Sequence, residues 1–249
     1  MGSNAIEKSL QVIENLANYP HGLSLLELSE ILGFPKSTTH RILNILVAYD
    51  YASQNPKNKK YSLGFKFLSI GRIIIENLDV RRIAHDHLHK LHEKVHETVH
   101  LAILRDSKVV YIDKIESPRG LSLATYIGFR TDPHAAAGGK ILLSGLPPEQ
   151  VRKMYKNRSL KAYGKNTITN MAYLLDEVEN IKKQGYAIDN EEYYEGVRCV
   201  AAPIRAGGEI VAAVSITGSI FTMTMERIKQ ELTELVTQTA QEISSAMKW

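Results

Sequence analysis

Apolar residues recur at helical spacing in three segments of the first fifty residues. The first segment covers residues 6–16, and the second follows Ser24, which can form a capping box with Glu27. Gly33 then offers a position that tolerates the positive φ of a tight turn between helices. The third segment, residues 35–49, begins with a proline, which suits the first turn of a helix. Together they predict a helix-turn-helix whose second helix is residues 35–49.

The same periodicity predicts which side of each helix is apolar. The predicted stripes are Ile6, Leu10, Ile13 and Leu16, then Leu25, Leu28, Ile31 and Leu32, and then Thr39, Ile42, Leu43 and Leu46. The residues left to point outward from the third helix are Lys36, Ser37, Thr38, His40, Arg41 and Asn44. Lysine binds phosphates, whereas arginine, asparagine and hydroxyls can bond base edges in the major groove. This face therefore predicts DNA contact.

The segment "YASQNPKNKKYSL" predicts two short strands joined by a tight turn. The strands lie near residues 51–53 and 60–63, and the turn lies at residues 55–58. Three lysines at the tip, Lys57, Lys59 and Lys60, favour contact with the minor groove or the phosphate backbone. The hairpin completes a winged helix-turn-helix, although a module of this shape can also bind another protein.

A strongly apolar segment, residues 65–78, follows the hairpin. Its apolar stripe consists of Phe67, Ile70, Ile74 and Leu78. A helix of this kind must bury its stripe, most simply against its own copy in a homodimer, which would space two recognition helices along DNA. The alternative is a helix packed wholly within one chain. The predicted domains are a DNA-binding domain at 1–64, a linker helix at 65–78 and a second domain at 79–249.

From residue 79 the pattern alternates between helices and strands. Helices are expected at residues 79–95, 135–143, 149–157 and 170–184 and near the carboxyl terminus. Strands are expected at residues 100–105, 108–116, 121–127, 186–188, 198–205 and 210–217. Strands in hairpins with helices gathered around them predict an α+β domain with a mostly antiparallel sheet.

Composition adds less than the placement of charge. The 249 residues suffice for two modest domains, and no apolar run reaches the roughly 18 residues of a membrane span. A single cysteine, Cys199, excludes an internal disulfide and suits a reducing cytoplasm, where we expect the protein to reside. The net charge is only +4. However, residues 1–35 hold one basic and four acidic residues, whereas residues 36–60 hold five basic and one acidic. A domain polarised in this way can turn one face to phosphates.

Several longer motifs resemble the isocitrate-lyase-regulator (IclR) family of bacterial transcription regulators over nearly the whole chain. They are "LGFPKSTTHRILNIL", "KYSLGFKFLSIG", "GFRTDPHAAAGGKILLS", "GYAIDNEEYYEGVRCVAAPI" and "EIVAAVSITG". Their order along the chain makes the resemblance specific. It implies a DNA-binding repressor or activator, usually a homodimer or a dimer of dimers. It also implies that residues 79–249 form a GAF- or profilin-like domain that binds a small organic acid as effector.

The resemblance further implies an effector pocket on one side of the second domain's sheet. Its candidate residues are Leu123, His134, Ala137, Gly138, Asp189, Val197, Cys199, Ser215 and Thr217. Amides at the start of the helix near residue 135 favour a carboxylate, and Ser215 and Thr217 share one face of a strand. Alternatively, these hydroxyls fill a half-polar strand face and Cys199 is a small buried apolar residue.

Two residues depart from the family pattern around this pocket. Gly138 stands where the family often has a larger aliphatic residue, so that it would enlarge the pocket or bring the backbone nearer the ligand. Asp132 adds an acid that we expect near the pocket mouth.

The segment "HDHLHKLHEKVHETVH" places four histidines along one face of a predicted helix, a spacing that can bind a divalent metal. They are His85, His89, His92 and His96. One helical stripe supplies at most two well-placed ligands at a time, and the stripe can equally be a solvated border. A second possible set is His134, Asp189 and Cys199 in the pocket. Metal binding at either set remains an alternative, and the prediction from the sequence is no metal and no cofactor.

These observations predict a transcription factor, in the simplest case a repressor, that binds a palindromic operator in double-stranded DNA under the control of an effector. The main alternative is an enzyme in which Cys199 is the nucleophile and Asp189 and His134 assist it. A nucleotide-binding loop, a nucleophile elbow and a clear acid pair are all missing from the sequence, so we predict no catalytic residues. A third possibility is a scaffold whose basic wing contacts an acidic protein.

Overall fold

The structure is a computed structural model that describes residues 5–118 and 124–247. Contacts between residues divide the chain into two compact units, Met1–Asn77 and Leu78–Trp249. No helix among the described residues combines the length and the apolar character that are needed to cross a membrane.

The first unit consists of helices and one hairpin. Its elements are α1 (Ala5–Asn18), α2 (Leu25–Leu32), α3 (Lys36–Ala48), β1 (Ala52–Gln54), β2 (Tyr61–Leu63) and α4 (Lys66–Glu76). The predicted capping box is present, because the Glu27 N–H donates to Ser24 Oγ at 3.2 Å and the Ser24 N–H donates to the Glu27 carboxylate at 2.7 Å. Gly33 ends α2 with φ 65°. A bridge between Leu23 and Tyr61 ties the hairpin to the helices. The winged helix-turn-helix is therefore confirmed.

The core of this unit follows the predicted pattern in α3 but not throughout α2. Thr39, Ile42, Leu43 and Leu46 are buried as predicted. By contrast, Ile31, predicted on the buried face of α2, is 46% exposed, so that prediction was wrong. Ile6 and Leu10 of the α1 stripe are 71% and 54% exposed. The buried residues of α1 are Val12 and Leu16, both in its second half. The first two turns of α1 therefore lie beyond the small core of the unit.

The helix α4 contributes nothing to that core. It has no buried residue, and the segment exposes four large apolar side chains: Phe65, Leu68, Ile73 and Ile74. Its start is fixed to the winged module, because the Lys66 N–H donates to the Asp50 carbonyl at 3.2 Å and Phe67 packs edge-on against Tyr51. Within its own unit α4 therefore leaves these apolar side chains uncovered, and their burial against a second copy stays a prediction.

The second unit is an antiparallel sheet with helices on both faces. Its helices are α5 (Asp79–Val95), α6 (Ala137–Ser144), α7 (Pro148–Met154), α8 (Met171–Gln184), α9 (Met225–Arg227) and α10 (Thr233–Ala246), with a π-helical turn at Ile228–Leu232. Its strands are β3 (Thr98–Arg105), β4 (Lys108–Ile115), β5 (Arg130–Thr131), β6 (Ala187–Asn190), β7 (Val197–Ala206) and β8 (Glu209–Ser219). The strand order is β5-β4-β3-β8-β7-β6, and each neighbouring pair is antiparallel. The predicted α+β class is confirmed.

Alternation along the strands sends neighbouring side chains to opposite faces of this sheet. Val200 and Val214 belong to the apolar core that α5 and α10 cover. Ala201 and Ala213 belong instead to the core under α6. The second face also carries the polar residues described below, so α6 and the cavity share one side of the sheet.

Two elements of this unit differ from the prediction. Part of the expected strand at 121–127 lies outside the described residues, and residues 124–127 form no strand. The strand beside β4 is instead the short β5, whose approach bends at Gly128 with φ 95°. The helix expected at 135–143 begins later, because a 3₁₀ turn at Pro133–Ala135 precedes α6.

Candidate functional site

The outward face of α3 is exposed over most of its length. Lys36, Ser37, His40, Arg41 and Asn44 are exposed, and Thr38 is half-buried. Lys36 and His40 line an open groove together with Lys59 of the hairpin. The fold thus brings the helix and the wing to one surface that presents cations and hydrogen-bonding side chains, which is the arrangement that a DNA duplex requires.

The lysines of the wing are not equivalent. The turn is closed by Asn55, whose side-chain oxygen accepts the Lys57 N–H at 2.9 Å, and it leaves Lys57 and Lys59 exposed. Lys60 is half-buried, and its Nζ lies 3.5 Å from a carboxylate oxygen of Glu27. Its charge is therefore partly offset within the protein, which the sequence pattern did not indicate.

A cavity lies in the second unit, between the sheet and the start of α6. Its lining residues are His100, Tyr111, Thr125, Phe129, Thr131, Ala136, Ala137, Gly138, Asp189, Tyr193, Tyr194, Val197, Cys199, Ser215 and Thr217. Seven of these are candidates from the sequence: Ala137, Gly138, Asp189, Val197, Cys199, Ser215 and Thr217.

Strand register explains how residues far apart in the sequence meet here. Asp189 pairs with Cys199, which pairs with Thr217, so that β6, β7 and β8 form one row. In the next row Ser215 of β8 pairs with His100 of β3. Residues directly opposite each other across antiparallel strands point to the same face. The rows therefore form a polar floor.

The helix start forms the opposite wall, and two glycines there have different roles. A Cβ on Gly139 would lie 2.3 Å from the Pro133 carbonyl oxygen, so only glycine fits. A Cβ on Gly138 would meet Ala213 at 3.7 Å, an ordinary contact. The N-cap residue of α6, Ala136, provides no side-chain cap, which leaves the first turn of the helix without a capping oxygen at the cavity.

The prediction that His134 lines the pocket is wrong. Its side chain is fully buried outside the cavity lining, where its Nε2 lies 2.9 Å from the Lys161 carbonyl oxygen and its Nδ1 lies 3.4 Å from the Tyr155 hydroxyl. The 3₁₀ turn that precedes α6 places it in this second environment. The candidate Leu123 lies outside the described residues.

Asp132 is also placed differently from the expectation. It is buried rather than at the pocket mouth, and its carboxylate accepts hydrogen bonds from Lys108 Nζ at 2.7 Å and from the Tyr163 hydroxyl. Tyr163 in turn stacks on Tyr193, a cavity residue, with ring centroids 4.5 Å apart. These bonds lower the pKa of Asp132 despite its burial. Asp132 therefore lies outside the lining and supports the cavity wall through Tyr163, which contacts Tyr193.

Sequence reasoning missed the aromatic part of the lining. His100 packs on Tyr111 with centroids 4.8 Å apart, and Tyr111 stacks on Phe129 at 6.0 Å. His100 Nε2 lies 2.9 Å from the Thr125 hydroxyl. Only Tyr193 and Tyr194, within the motif "EEYYEG", carried a signal in the sequence. The others depend on which face of β3 and β4 turns inward.

The titratable groups of the lining are shifted towards their neutral forms. Burial, with a smaller effect of Lys114, lowers the pKa of His100 to about 3. Burial, reinforced by the nearby Glu192, raises the pKa of Asp189 to about 7. Burial also raises the pKa of the Cys199 thiol well above its usual value. The cavity is therefore polar, and the one group of its described lining that is partly ionised at neutral pH is Asp189.

This chemistry does not support the enzymatic alternative. A nucleophilic cysteine needs a lowered pKa and a neighbouring base, whereas the pKa of Cys199 is raised and His134 lies outside the cavity. In the part of the chain that the structure describes, no three His, Cys, Asp or Glu side chains converge on a metal-binding position. The histidine stripe is also interrupted, because α5 ends at Val95 and His96 adopts φ 55°.

One buried polar atom in the described lining has no hydrogen-bond partner. Thr131 is 4% exposed, and its hydroxyl has no hydrogen-bond partner among the described residues. Buried hydroxyls are rarely unsatisfied in folded proteins. The side chain lines the cavity, so a bound molecule with a hydrogen-bonding group would satisfy it.

Comparison with known proteins agrees with this geometry. Residues 5–56 match the IclR helix-turn-helix domain, and residues 73–245 match the family described as bacterial transcriptional regulator IclR C-terminal. The chain is 33% identical to the DNA-binding transcriptional repressor YiaJ of Escherichia coli over 99% of its own length and 88% of the relative's.

Solved structures give the same result. The structure of Thermotoga maritima IclR is 32% identical, with a TM-score of 0.85 over 99% of both chains. An IclR homolog from Microbacterium hydrocarbonoxydans, solved as a complex with 4-hydroxybenzoate, shares the fold at 20% identity, with a TM-score of 0.82 over 96% of this chain and 98% of that one. The winged module, the sheet with its cavity and these similarities lead to one conclusion: this chain belongs to the IclR family of bacterial transcriptional regulators.

Proposed function

We propose that this regulator binds a palindromic operator as a homodimer, or as a dimer of such dimers, and that a small organic acid in the cavity controls its operator affinity. The observation that carries the proposal is the exposed apolar face of α4, where Leu68 is 68% and Ile74 60% exposed. A helix with no buried residue is stabilised by a partner, and a second copy related by twofold symmetry supplies a matching surface. Two DNA-binding modules related by twofold symmetry match the two halves of a palindromic site.

In this proposal α3 enters the major groove. Arg41 and Asn44 supply groups that can bond base edges, while Lys36, the hydroxyls of Ser37 and Thr38, and His40 contact phosphates or bases. Lys57 and Lys59 of the wing bind the backbone beside the groove, and Lys60 contributes less because Glu27 lies against it. Operator binding also implies residence in the cytoplasm, where the DNA is.

The cavity is the proposed effector site. Ser215, Thr217 and Thr131 offer hydroxyls, and the first turn of α6 offers amides that favour a carboxylate. The related Microbacterium protein was solved with 4-hydroxybenzoate, itself a small organic acid. An acid that binds one arrangement of the dimer more tightly shifts the spacing of the two α3 helices and so changes operator affinity.

The test has two stages. A thermal-shift screen of metabolic acids identifies molecules that stabilise the protein, and each one is then assayed for its effect on operator binding by gel shift. We expect at least one acid to raise the melting temperature and to change operator affinity. An acid that stabilises the protein but never affects DNA binding would contradict the regulatory role, and a monomer at micromolar concentration would contradict the dimer.

A further inference from the structure

The cavity contains a buried acid in the place where an acid ligand is proposed to bind. Asp189 is 4% exposed and lies in the cavity lining, and its carboxylate accepts the Glu192 N–H at 2.7 Å. Arginine and lysine are absent from the described residues that form this lining. A ligand carboxylate would therefore bring a negative charge beside a buried carboxyl group, with no cationic side chain in the described lining to offset it.

Two lysines act electrostatically on the lining, Lys140 on Asp189 and Lys114 on His100, and both are engaged with other groups. Lys140 Nζ, 1% exposed, lies 2.6 Å from a Glu192 carboxylate oxygen and donates to the Ile188 carbonyl at 2.7 Å. Lys114 Nζ donates to the Thr125 carbonyl and lies 2.6 Å from Glu116. The other titratable groups around Asp189 are His100 on β3, Tyr111 on β4, Glu177 on α8, Glu192, Tyr193 and Tyr194 in the loop after β6, and Cys199 on β7.

None of these other groups supplies a positive charge at neutral pH. Burial lowers the pKa of His100 to about 3, so its imidazole is neutral. Burial raises the pKa of Tyr111 and of Cys199, so both remain protonated and uncharged. Glu177 and Glu192 face Lys140. No cationic side chain of the described lining therefore offsets the repulsion between an acid ligand and an ionised Asp189.

Two carboxyl groups confined together in a protein usually share one proton, because like charges at short range repel strongly where water is excluded. Asp189 is prepared for this role, since burial already raises its pKa to about 7. A protonated Asp189 can keep its bond from the Glu192 N–H and donate its O–H to the ligand.

We propose that the cavity binds a monocarboxylate together with one proton from solvent, which Asp189 holds and donates as a hydrogen bond to the ligand carboxylate. The inference rests on the proposed role of the cavity as a binding site for an acid. It adds the number of protons bound with the ligand and the ligand charge that the site selects. Asp189 provides a single proton, so a dicarboxylate would leave one charge uncompensated. Asp189 thus selects for ligands with one negative charge.

The pH dependence follows from the sign of this linkage. The protonated form of Asp189 binds the ligand, so affinity is at its full value below pH 7 and falls as pH rises through the pKa of the unliganded group. We expect the apparent Kd to rise about tenfold per pH unit above pH 7, until the pKa of the complex is reached.

Calorimetry in two buffers of different ionisation enthalpy measures the protons directly. The probes are pyruvate, glyoxylate, D-gluconate and 4-hydroxybenzoate, screened by thermal shift from pH 5.5 to pH 9, and the tightest one is then titrated into the full-length protein. We expect uptake of about one proton per site at pH 8.5 and almost none at pH 5.5. Binding with no proton uptake at pH 8.5 would overturn the proposal.

Variants assign the proton to one residue. Asp189→Asn keeps an oxygen that can accept the Glu192 N–H, so this part of the cavity should keep its structure. We expect this variant to bind the acid without proton uptake and with a Kd that does not change with pH. Asp86→Asn, an exposed acid on α5 outside the cavity lining, is the matched control and should keep the tenfold slope. A slope that persists in Asp189→Asn and disappears in His100→Asn would assign the proton to His100 and overturn the proposal.

The outcomes separate this inference from the proposed function. If none of the probe acids binds at any pH while an uncharged sugar or amide does, the proton-linked site is excluded, although dimerisation and operator binding stand. If the unliganded protein fails to bind any duplex at low salt, the proposed function fails, whatever the calorimetry shows.

Discussion

The proposed DNA-binding face of the first unit and the proposed effector cavity of the second unit present their side chains in opposite ways. The first lies on one helix and one hairpin, within residues 36–60, and most of its side chains are exposed. The second draws on six strands and α6, between residues 100 and 217, and most of its polar residues are buried. Exposed residues act on a partner and contribute little to stability. Buried residues contact a ligand and also stabilise the fold. Substitutions in the first region should therefore change binding without changing stability, whereas substitutions in the second region can change both.

The largest expected effect comes from charging the exposed face of α4. Leu68→Asp combined with Ile74→Asp should produce a monomer and reduce operator affinity by about 100-fold or more. The reason is that two linked DNA-binding modules bind about 10²–10⁴ times more tightly than one. Neither side chain is buried, so the melting temperature of an isolated winged module should not change.

Sedimentation velocity and gel shifts measure the two outcomes for this double variant. Tyr173→Asp on α8, where the side chain is also 70% exposed, is the matched control and should remain a dimer. A charged α4 that still dimerises would show that the subunits associate elsewhere.

The next effect concerns base reading. Arg41→Ala should reduce affinity for the cognate operator by roughly 10- to 100-fold, about 1–3 kcal/mol, and reduce discrimination between sequences. The side chain is exposed, so thermal stability should be nearly unchanged. Binding titrations with cognate and scrambled duplexes measure this. Arg152→Ala, an exposed arginine on α7, should alter neither affinity.

Two adjacent glycines test the buried region. Gly139→Ala places a Cβ against the Pro133 carbonyl and should destabilise the second unit by about 1–3 kcal/mol, seen as a lower melting temperature. Gly138→Ala has room for its Cβ beside Ala213, so stability should hold while affinity for the acid changes. Equal melting temperatures for the two variants would contradict the described wall.

The smallest effects distinguish the lysines of the wing. Lys57→Ala and Lys59→Ala should each reduce the slope of log K against log salt by about one, as expected for the loss of one phosphate contact. Lys60→Ala should change the slope less, because Glu27 lies 3.5 Å from its Nζ. Binding measured between 50 and 200 mM salt gives the slopes. An equal change for all three would mean that Glu27 releases Lys60 on DNA.

The winged module could be predicted from sequence nearly in full because its signals are local. The capping box of Ser24 and Glu27, the left-handed Gly33 and the turn at Asn55 each depend on residues within four positions of one another. The prediction that failed there, the burial of Ile31, depended instead on where a small core ends.

The cavity could be predicted only in part. Ala137, Gly138, Cys199 and Thr217 line it as expected, because family motifs and strand alternation mark them. His134 does not, since one 3₁₀ turn redirects its side chain towards Lys161 and Tyr155. The positions of His100 and Tyr111 in the lining could not be predicted from the sequence, because the direction of their side chains depends on the register of β3 with β4 and β8.

By itself the sequence determined the module that reads DNA, the α+β class of the second unit and the residue types available to a ligand, because helix capping, turns and side-chain periodicity act over a few residues. Tertiary structure alone decided which of those residues meet. Strand pairing placed Asp189, Cys199 and Thr217 in one row, and burial in that row moved the pKa of Asp189 to about 7. Register and desolvation are properties of contacts between distant segments, and no short stretch of sequence contains them.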